Sequence, residues 1–348
     1  MHNYDSFMKM CIESVLPNNT VLYDDKGNPS IMVRVPKFKI SDVIDGGSDD
    51  VHPAFIVNNY EVPEIFISKY SNVLINDRAC SLPNVNPTTE IARDKAKNAC
   101  ENKGIGWHLM SNAEWAAIAL WCKKNGFLPR GNNSFGKDVN YSFECGRITY
   151  SYYENDELIN GKTATGSGPV SWSHDNTTAG IYDMNGNVWA QISGLRFVEG
   201  EIQIIPNNDS AAAIDESFDS PHWKAIRSDG KLISPGGSDT LKIDIESNKI
   251  FISKSGKKKI DKWSDSLFGT FDSNLEAPEI LKSLALYPAD ETGYEKQKIW
   301  CNNTKERLPW RGGTWDAFEN SGVFCLFACY ERTHISKWAG FRSSYVKL

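Results

Sequence analysis

Arg311-Gly312-Gly313-Thr314-Trp315 and Gly340-Phe341-Arg342 bracket a segment that keeps no single period. Val323 to Tyr330 is apolar or aromatic throughout and has the length of a strand. A fully buried strand is one reading of such a run. Alternation gives a sharper one: if Phe324, Leu326 and Ala328 face a core, Cys325, Phe327 and Cys329 face the other way. Large apolar side chains on an outward face mark a binding surface. The next stretch, Tyr330 to Trp338, mixes bulky aromatic, charged and polar residues without period. A core would not hold Glu331, Arg332 and Lys337, and a plain loop would not need Trp338. Aromatic rings interleaved with hydrogen-bonding groups are what binding loops use, because rings give large contact area for little lost entropy. Arg311 and Arg342, at the ends, are read as supports for the backbone.

The rest of the chain bounds what this segment is mounted on. Its 348 residues can bury a sizeable core in one large domain or two. Charged residues at 24% and hydrophobic ones at 40% describe a globular protein. A formal charge of −6 argues against nucleic acid or anionic membrane as partner. The basic run Lys254, Lys257, Lys258, Lys259 reads as a solvated hairpin turn. The N-terminus lacks a basic start followed by an apolar core, so synthesis in the cytoplasm without a secretory signal is expected. No stretch has the length of a membrane span. The eight cysteines are scattered singly and read as free, mostly buried thiols.

Residues 1–48 are polar and turn-rich, with strands expected at Ile31–Val35 and Phe38–Val43. They read as an N-terminal extension for docking or oligomerisation. Residues 49–348 then form the main domain, opening with strands at Ala54–Val57 and Ile65–Tyr70. Pro87-Thr88-Thr89-Glu90 is expected to start a first helix with Ile91, Ala92, Ala96, Ala99 and Cys100 as its apolar stripe. Ser111-Asn112-Ala113-Glu114 is a capping box for a second helix, which buries Trp115, Ile118, Ala119 and Cys122 and stops at Asn125-Gly126. Residues 127–180 are loop-dominated. About 195–300 reads as an insertion, with short strands at Glu201–Pro206, Leu241–Glu246 and Lys249–Ser253 and a helix at Pro278–Leu286. Two helices on a strand-and-loop chain give an α+β fold class.

The RGGTW at 311–315, GVFCL at 322–326 and GFR at 340–342 resemble the variable region of diversity-generating retroelement target proteins, which have a C-type-lectin fold. Gly180 to Trp189, ending Met184-Asn185-Gly186-Asn187-Val188-Trp189, resembles a signature of the formylglycine-generating-enzyme-like branch of that fold. Trp107 to Trp115 stands where that branch has a second block. The resemblance implies a C-type-lectin domain of this branch, with a variable region at about 311–342. Composition and resemblance together make Thr314, Asp316, Ala317, Phe318, Glu319, Phe327, Cys329, Tyr330, Glu331, Thr333, His334, Ser336 and Trp338 the candidate ligand-binding residues. Serine at Phe327, Tyr330, His334 and Trp338 is therefore expected to leave stability nearly unchanged.

Enzymes of that branch carry a cysteine pair just after the Gly-Gly turn. Ala317 and Gly322 occupy those two positions here, and neither can bind copper or act as a thiol. The six histidines are isolated, with no ligand spacing. No catalytic residue is expected, and no cofactor. Calcium is a minority option at Asp183, Asn185 and Asn187, weakened by Ala190 where the enzymes have a Glu. Trp189 reads as core. The resemblance implies a hypervariable ligand-binding protein, a phage or prophage receptor-binding component. Its partner would be a protein or other macromolecule on a cell surface, its site the virion, and its N-terminal region a place for oligomer or virion attachment. The alternatives are a sulfatase-modifying-factor-type oxidoreductase and a structural virion decoration protein.

Overall fold

The end of the chain is clamped between elements from its beginning. In the computed structural model, which describes residues 2–256, 258–273 and 275–348, Ser343–Tyr345 lies between strands Glu64–Ser68 and Trp107–Leu109. With Pro29–Pro36 and Asn19–Tyr23 outside Glu64–Ser68, these make a five-stranded antiparallel sheet. Two of its strands thus come from residues 1–48, the segment read as an extension. Ile31–Val35 alternates and falls inside Pro29–Pro36 as expected. Phe38–Val43 does not form a strand. Ile40–Val43 is one helical turn, closed because the Asp42 carboxylate accepts from the Lys39 backbone N–H at 2.8 Å.

The helix Asn112–Lys124 packs behind this sheet with the expected capping box. Glu114 N donates to Ser111 Oγ at 3.1 Å, and Ser111 N donates to Glu114 Oε2 at 3.0 Å. Its stripe of Trp115, Ile118, Ala119 and Cys122 is buried, and Asn125 caps its end. The earlier helix starts later than expected, at Arg93. Glu90 has φ +57°, and the amides of Thr88 and Glu90 bond Asn72 and Ser336 carbonyls instead of starting a turn. Ile91 still reaches the small core of Ala96, Ala99 and Cys100.

The bracketed segment belongs to a six-stranded mixed sheet. Its order is Ser264–Leu267, Lys298–Cys301, Gly322–Ala328, Trp310–Gly312, Trp189–Gln191, Ala339–Phe341. Residues 195–300 contribute here as well as to their own eight-stranded sheet, where Glu201–Ile204, Lys242–Glu246 and Lys249–Ser253 match three expected strands. The expected helix at Pro278–Leu286 shortens to Glu279–Ser283. Lys254, Lys258 and Lys259 are exposed, as a solvated turn would be. They join strands of two different sheets rather than a hairpin, and Lys257 lies outside the described residues. One core cluster unites Trp115 and Ile118, Ile202 and Ile243 of the insertion, and Phe324 and Leu326. The result is α+β: mixed sheets with few helices.

Glu114 also accepts from the ring of His108 at 2.9 Å, and both side chains are buried. Burial works against charge on either, yet their attraction outweighs it, raising the His108 pKa and lowering that of Glu114. The His108 share of the stabilisation is present below its ordinary 6.5 and fades as pH rises through the raised value. The Glu114 share is present above its ordinary 4.5 and fades as pH falls through the lowered value. Urea unfolding of wild type and Glu114→Gln should therefore show the widest stability gap between about pH 4.5 and 6.5. A gap that does not vary with pH would mean that the pair is not ionised.

Candidate functional site

Three neighbouring strands alternate in step. Ala190, Arg311 and Leu326 are mutual partners in the ladder, and all three point to the core side. Trp189, Trp310 and Phe327 point the other way, into a second cluster with Cys325, Cys329 and Ala339. The alternation expected along Val323–Tyr330 is thus present. The openness expected of its far face is not: Phe327 is only 8% exposed. Trp189, Trp263, Trp310 and Tyr330 cover it, with ring centroids 5.5, 5.1, 5.6 and 5.1 Å from its own.

These rings and Trp338 line an open-mouthed cavity of about 250 Å³. Its polar lining is Thr314, Asp316 and Ser336. Trp338 Nε1 donates to Asp316 Oδ2 at 3.2 Å. Burial pushes the Asp316 carboxyl above the usual carboxylate range. Thr314 Oγ1 is buried without a hydrogen-bond partner. Trp263, 49% exposed, stands at the rim edge-on to Phe327 and Tyr330.

Six candidates meet at this cavity: Thr314, Asp316, Phe327, Tyr330, Ser336 and Trp338. His334 lies beside it, stacked on Tyr330 at 3.6 Å and 11°. The others lie apart. Cys329 is buried, its thiol pushed up by that burial, and its carbonyl accepts from Asn302. Glu331 pairs with Lys305 at 2.7 Å, and Thr333 is exposed on the same turn. Ala317, Phe318 and Glu319 form a separate turn, where Phe318 meets Phe135 and Glu319 meets Lys296. Trp189, Trp310 and Trp263 were not among the expected ligand residues. Trp310 directly precedes the Arg-Gly-Gly turn, which could have marked it. Trp189 is buried, as a core residue would be, yet it lines the cavity. Trp263 sits in the insertion, where no motif points to it.

The bracket residues hold the backbone. Arg311 Nε and Nη2 donate to Asn112 Oδ1 at 3.1 and 2.7 Å, and Nη2 also reaches the Ala285 carbonyl at 3.0 Å. Arg342 Nη1 and Nη2 donate to the Ser68 and Tyr182 carbonyls at 2.5 and 2.6 Å. Gly312 and Gly313 have φ +92° and +90°, and a Cβ on Gly313 would stand 1.9 Å from Ser321 Oγ. Gly322, at the second enzyme-cysteine position, leaves no room for a thiol: its Cβ would lie 2.2 Å from Gln297 Oε1, which accepts from Phe324 N.

The possible calcium residues are engaged by loops. Asp183 Oδ2 accepts from Gly166 N, Asn185 Nδ2 donates to the Pro129 carbonyl, and Asn187 exchanges bonds with both backbone groups of Thr163. Arg342 already supplies a positive charge beside Asp183. Asn185 Oδ1 is buried without a partner, but Asp183 Oδ2 and Asn187 Oδ1 already accept from Gly166 N and Thr163 N, so the set lacks the several convergent hard oxygens that calcium wants. Among the described residues no group of three or more His, Cys, Asp or Glu is placed to hold a metal.

Solved structures similar to this chain are distant in sequence. PvdO from Pseudomonas aeruginosa is 14% identical, with a TM-score of 0.37 over 94% of this chain and 97% of its own. The M1 variant of the major tropism determinant is 10% identical, at 0.33 over 94% and 71%. Treponema denticola variable protein 1 is 10% identical, at 0.31 over 94% and 98%. No family model matches the chain, and no curated protein matches it.

The burial of Phe327 overturns the expectation that serine there is neutral. In urea unfolding Phe327→Ser should cost roughly 3–5 kcal/mol, the usual range for emptying a ring-sized site. Thr333→Ala should stay within about 0.5 kcal/mol, as exposed changes do. Equal small effects at both would mean that the aromatic cluster does not close over the strand.

Proposed function

We propose that this protein binds ligands through a diversified C-terminal surface on a C-type-lectin scaffold of the formylglycine-generating-enzyme-like branch. The observation that carries the reading is the sorting of residues 311–342 into two sets. Arg311, Gly313 and Arg342 are spent on buried backbone contacts. Thr314, Asp316, Tyr330, Ser336 and Trp338 converge on one aromatic cavity, with His334 stacked beside them. A scaffold that keeps the first set can change the second.

On this reading the partner is a macromolecule on a cell surface, and the protein is a phage or prophage receptor-binding component carried on the virion. On the same reading the N-terminal region serves oligomer or particle attachment. On this reading the cavity binds rather than reacts, and its lining holds neither thiol nor imidazole. Ala317 and Gly322 stand where an oxidase of this branch would need cysteines.

The locus tests the reading. In the family this segment resembles, a reverse transcriptase copies a template repeat inaccurately at adenines. Asn codons of the form AAY randomised at their first two bases reach Asp316, Ala317, Phe318, Phe327, Cys329, Tyr330 and His334. Trp338 and Glu319 require a purine in the third place. DNA sequencing should find a near-copy of the codons for about 311–342 beside the gene and a reverse-transcriptase frame nearby, with mismatches confined to template adenines. A locus with no repeat, or mismatches spread over all four bases, would remove diversification from the proposal.

A further inference from the structure

The walls of the cavity are ring faces and edges from six aromatic side chains, and its lining includes one carboxylate, Asp316. Aromatic faces carry negative potential and attract cations, more strongly when water is excluded. A carboxylate drawn out of water gains from an opposite charge placed next to it. At about 250 Å³ the space is smaller than a site for a drug-sized ligand, roughly 300–1,000 Å³, and suits one compact group. Thr314 Oγ1, buried and unpartnered at the wall, adds a second oxygen whose lone pairs are free for charge–dipole contact with a cation.

We propose that this cavity is an aromatic cage for an organic cation of the alkylammonium type, with the trimethylammonium group its best-fitting form. This rests on the ligand-binding reading above and names the chemistry of its deepest contact. A sugar ring is a poorer match. Each buried hydroxyl needs its own hydrogen-bond partner, and only Thr314, Asp316 and Ser336 offer them. A trimethylammonium group carries no hydroxyl and no N–H, and needs only ring faces and a counter-charge. The fold already seats one ammonium on this wall from outside the cavity: Lys337 Nζ lies 4.7 Å from the Trp338 ring centroid and 3.7 Å from that of Tyr152.

Calorimetric titration of the full chain tests the cage. Choline should bind at least about tenfold more tightly than 3,3-dimethylbutan-1-ol, its neutral isostere with carbon in place of nitrogen. Methyl glucoside should not bind. Asp316→Asn, checked for native circular dichroism, should lower choline affinity about tenfold while leaving the isostere nearly unchanged, and Trp263→Leu, checked likewise, should weaken choline more than the isostere. Trp263 stands half-exposed at the rim, so this variant should fold even if changes deeper in the cluster do not. Phosphocholine and a trimethyllysine peptide, titrated in parallel, separate a headgroup source from a protein one, and tighter binding of either supports the cage. Equal affinity for choline and the isostere, binding of the glucoside in preference to choline, or wild-type affinity in Asp316→Asn would each overturn it. The outcome is independent of the locus: a template repeat beside a gene whose product ignores choline would defeat the cage alone.

Discussion

The guanidinium of Arg311 is the joint on which the site depends. It is fully buried and, among the described residues, pairs with no carboxylate; Nε and Nη2 donate to Asn112 Oδ1 and to carbonyls of residues 284 and 285, while Nη1 has no partner. Burial lowers its pKa to about 9, still above neutrality, so the group stays charged and its donors stay active. Those acceptors belong to the start of the Asn112–Lys124 helix and to the turn after Glu279–Ser283. One side chain therefore ties the sheet carrying the cavity to the central helix and to the insertion. Arg342 does the same at the other end, where carbonyls of Ser68 and Tyr182 meet it. Between these anchors Phe324, Leu326 and Ala328 add a third hold on the main core, so the path of the chain is set by its ends and by one face of Gly322–Ala328.

Much of the scaffold was legible because its signals are local. The Ser111–Glu114 box needs only four adjacent residues, and the Trp115, Ile118, Ala119, Cys122 stripe only two turns. The period of two along Val323–Tyr330 likewise told which side chains share a face. What that face meets depends on other strands. Phe327 is covered because the ladder sets Trp310 opposite it and brings Trp189, on the same face of the next strand, within ring contact, an arrangement that no single segment encodes. The same gap explains residues 1–48. Ile31–Val35 alternates and has a near partner in Asn19–Tyr23, but its other partner, Glu64–Ser68, lies further along the chain. Pro87–Glu90 carries helix-start residues, yet its amides are claimed by Asn72 and Ser336, contacts from outside the window that local preference weighs.

The two faces of Gly322–Ala328 carry different burdens. Phe324, Leu326 and Ala328 join the cluster that reaches the central helix and the insertion, while Cys325, Phe327 and Cys329 join a smaller one. A change in the smaller cluster alters packing among a few rings without opening the main core. Close packing transmits strain between atoms in contact, and here the strand backbone separates the two sets. That separation is a physical condition for any protein whose binding face is to vary, because each substitution must be absorbed where it occurs.

The insertion takes part in the site as well as in the scaffold. Trp263 closes the rim from just ahead of Ser264–Leu267, and that strand reaches Gly322–Ala328 through Lys298–Cys301. Trp263, Trp189 and Trp310 all lie outside 311–342, whereas Asp316, Tyr330, Ser336 and Trp338 lie within it. The cavity is thus built one-third from outside the segment and two-thirds from within it: three tryptophans supply apolar area irrespective of what the segment between the brackets holds, and that segment supplies three further rings with the carboxylate and hydroxyls. Apolar contact gives affinity with little discrimination, while a buried polar group discriminates because leaving it unpaired is costly. On the proposed reading, a division of this kind would let the segment between Arg311 and Arg342 reset which ligand is preferred while the surrounding tryptophans keep the capacity to bind one.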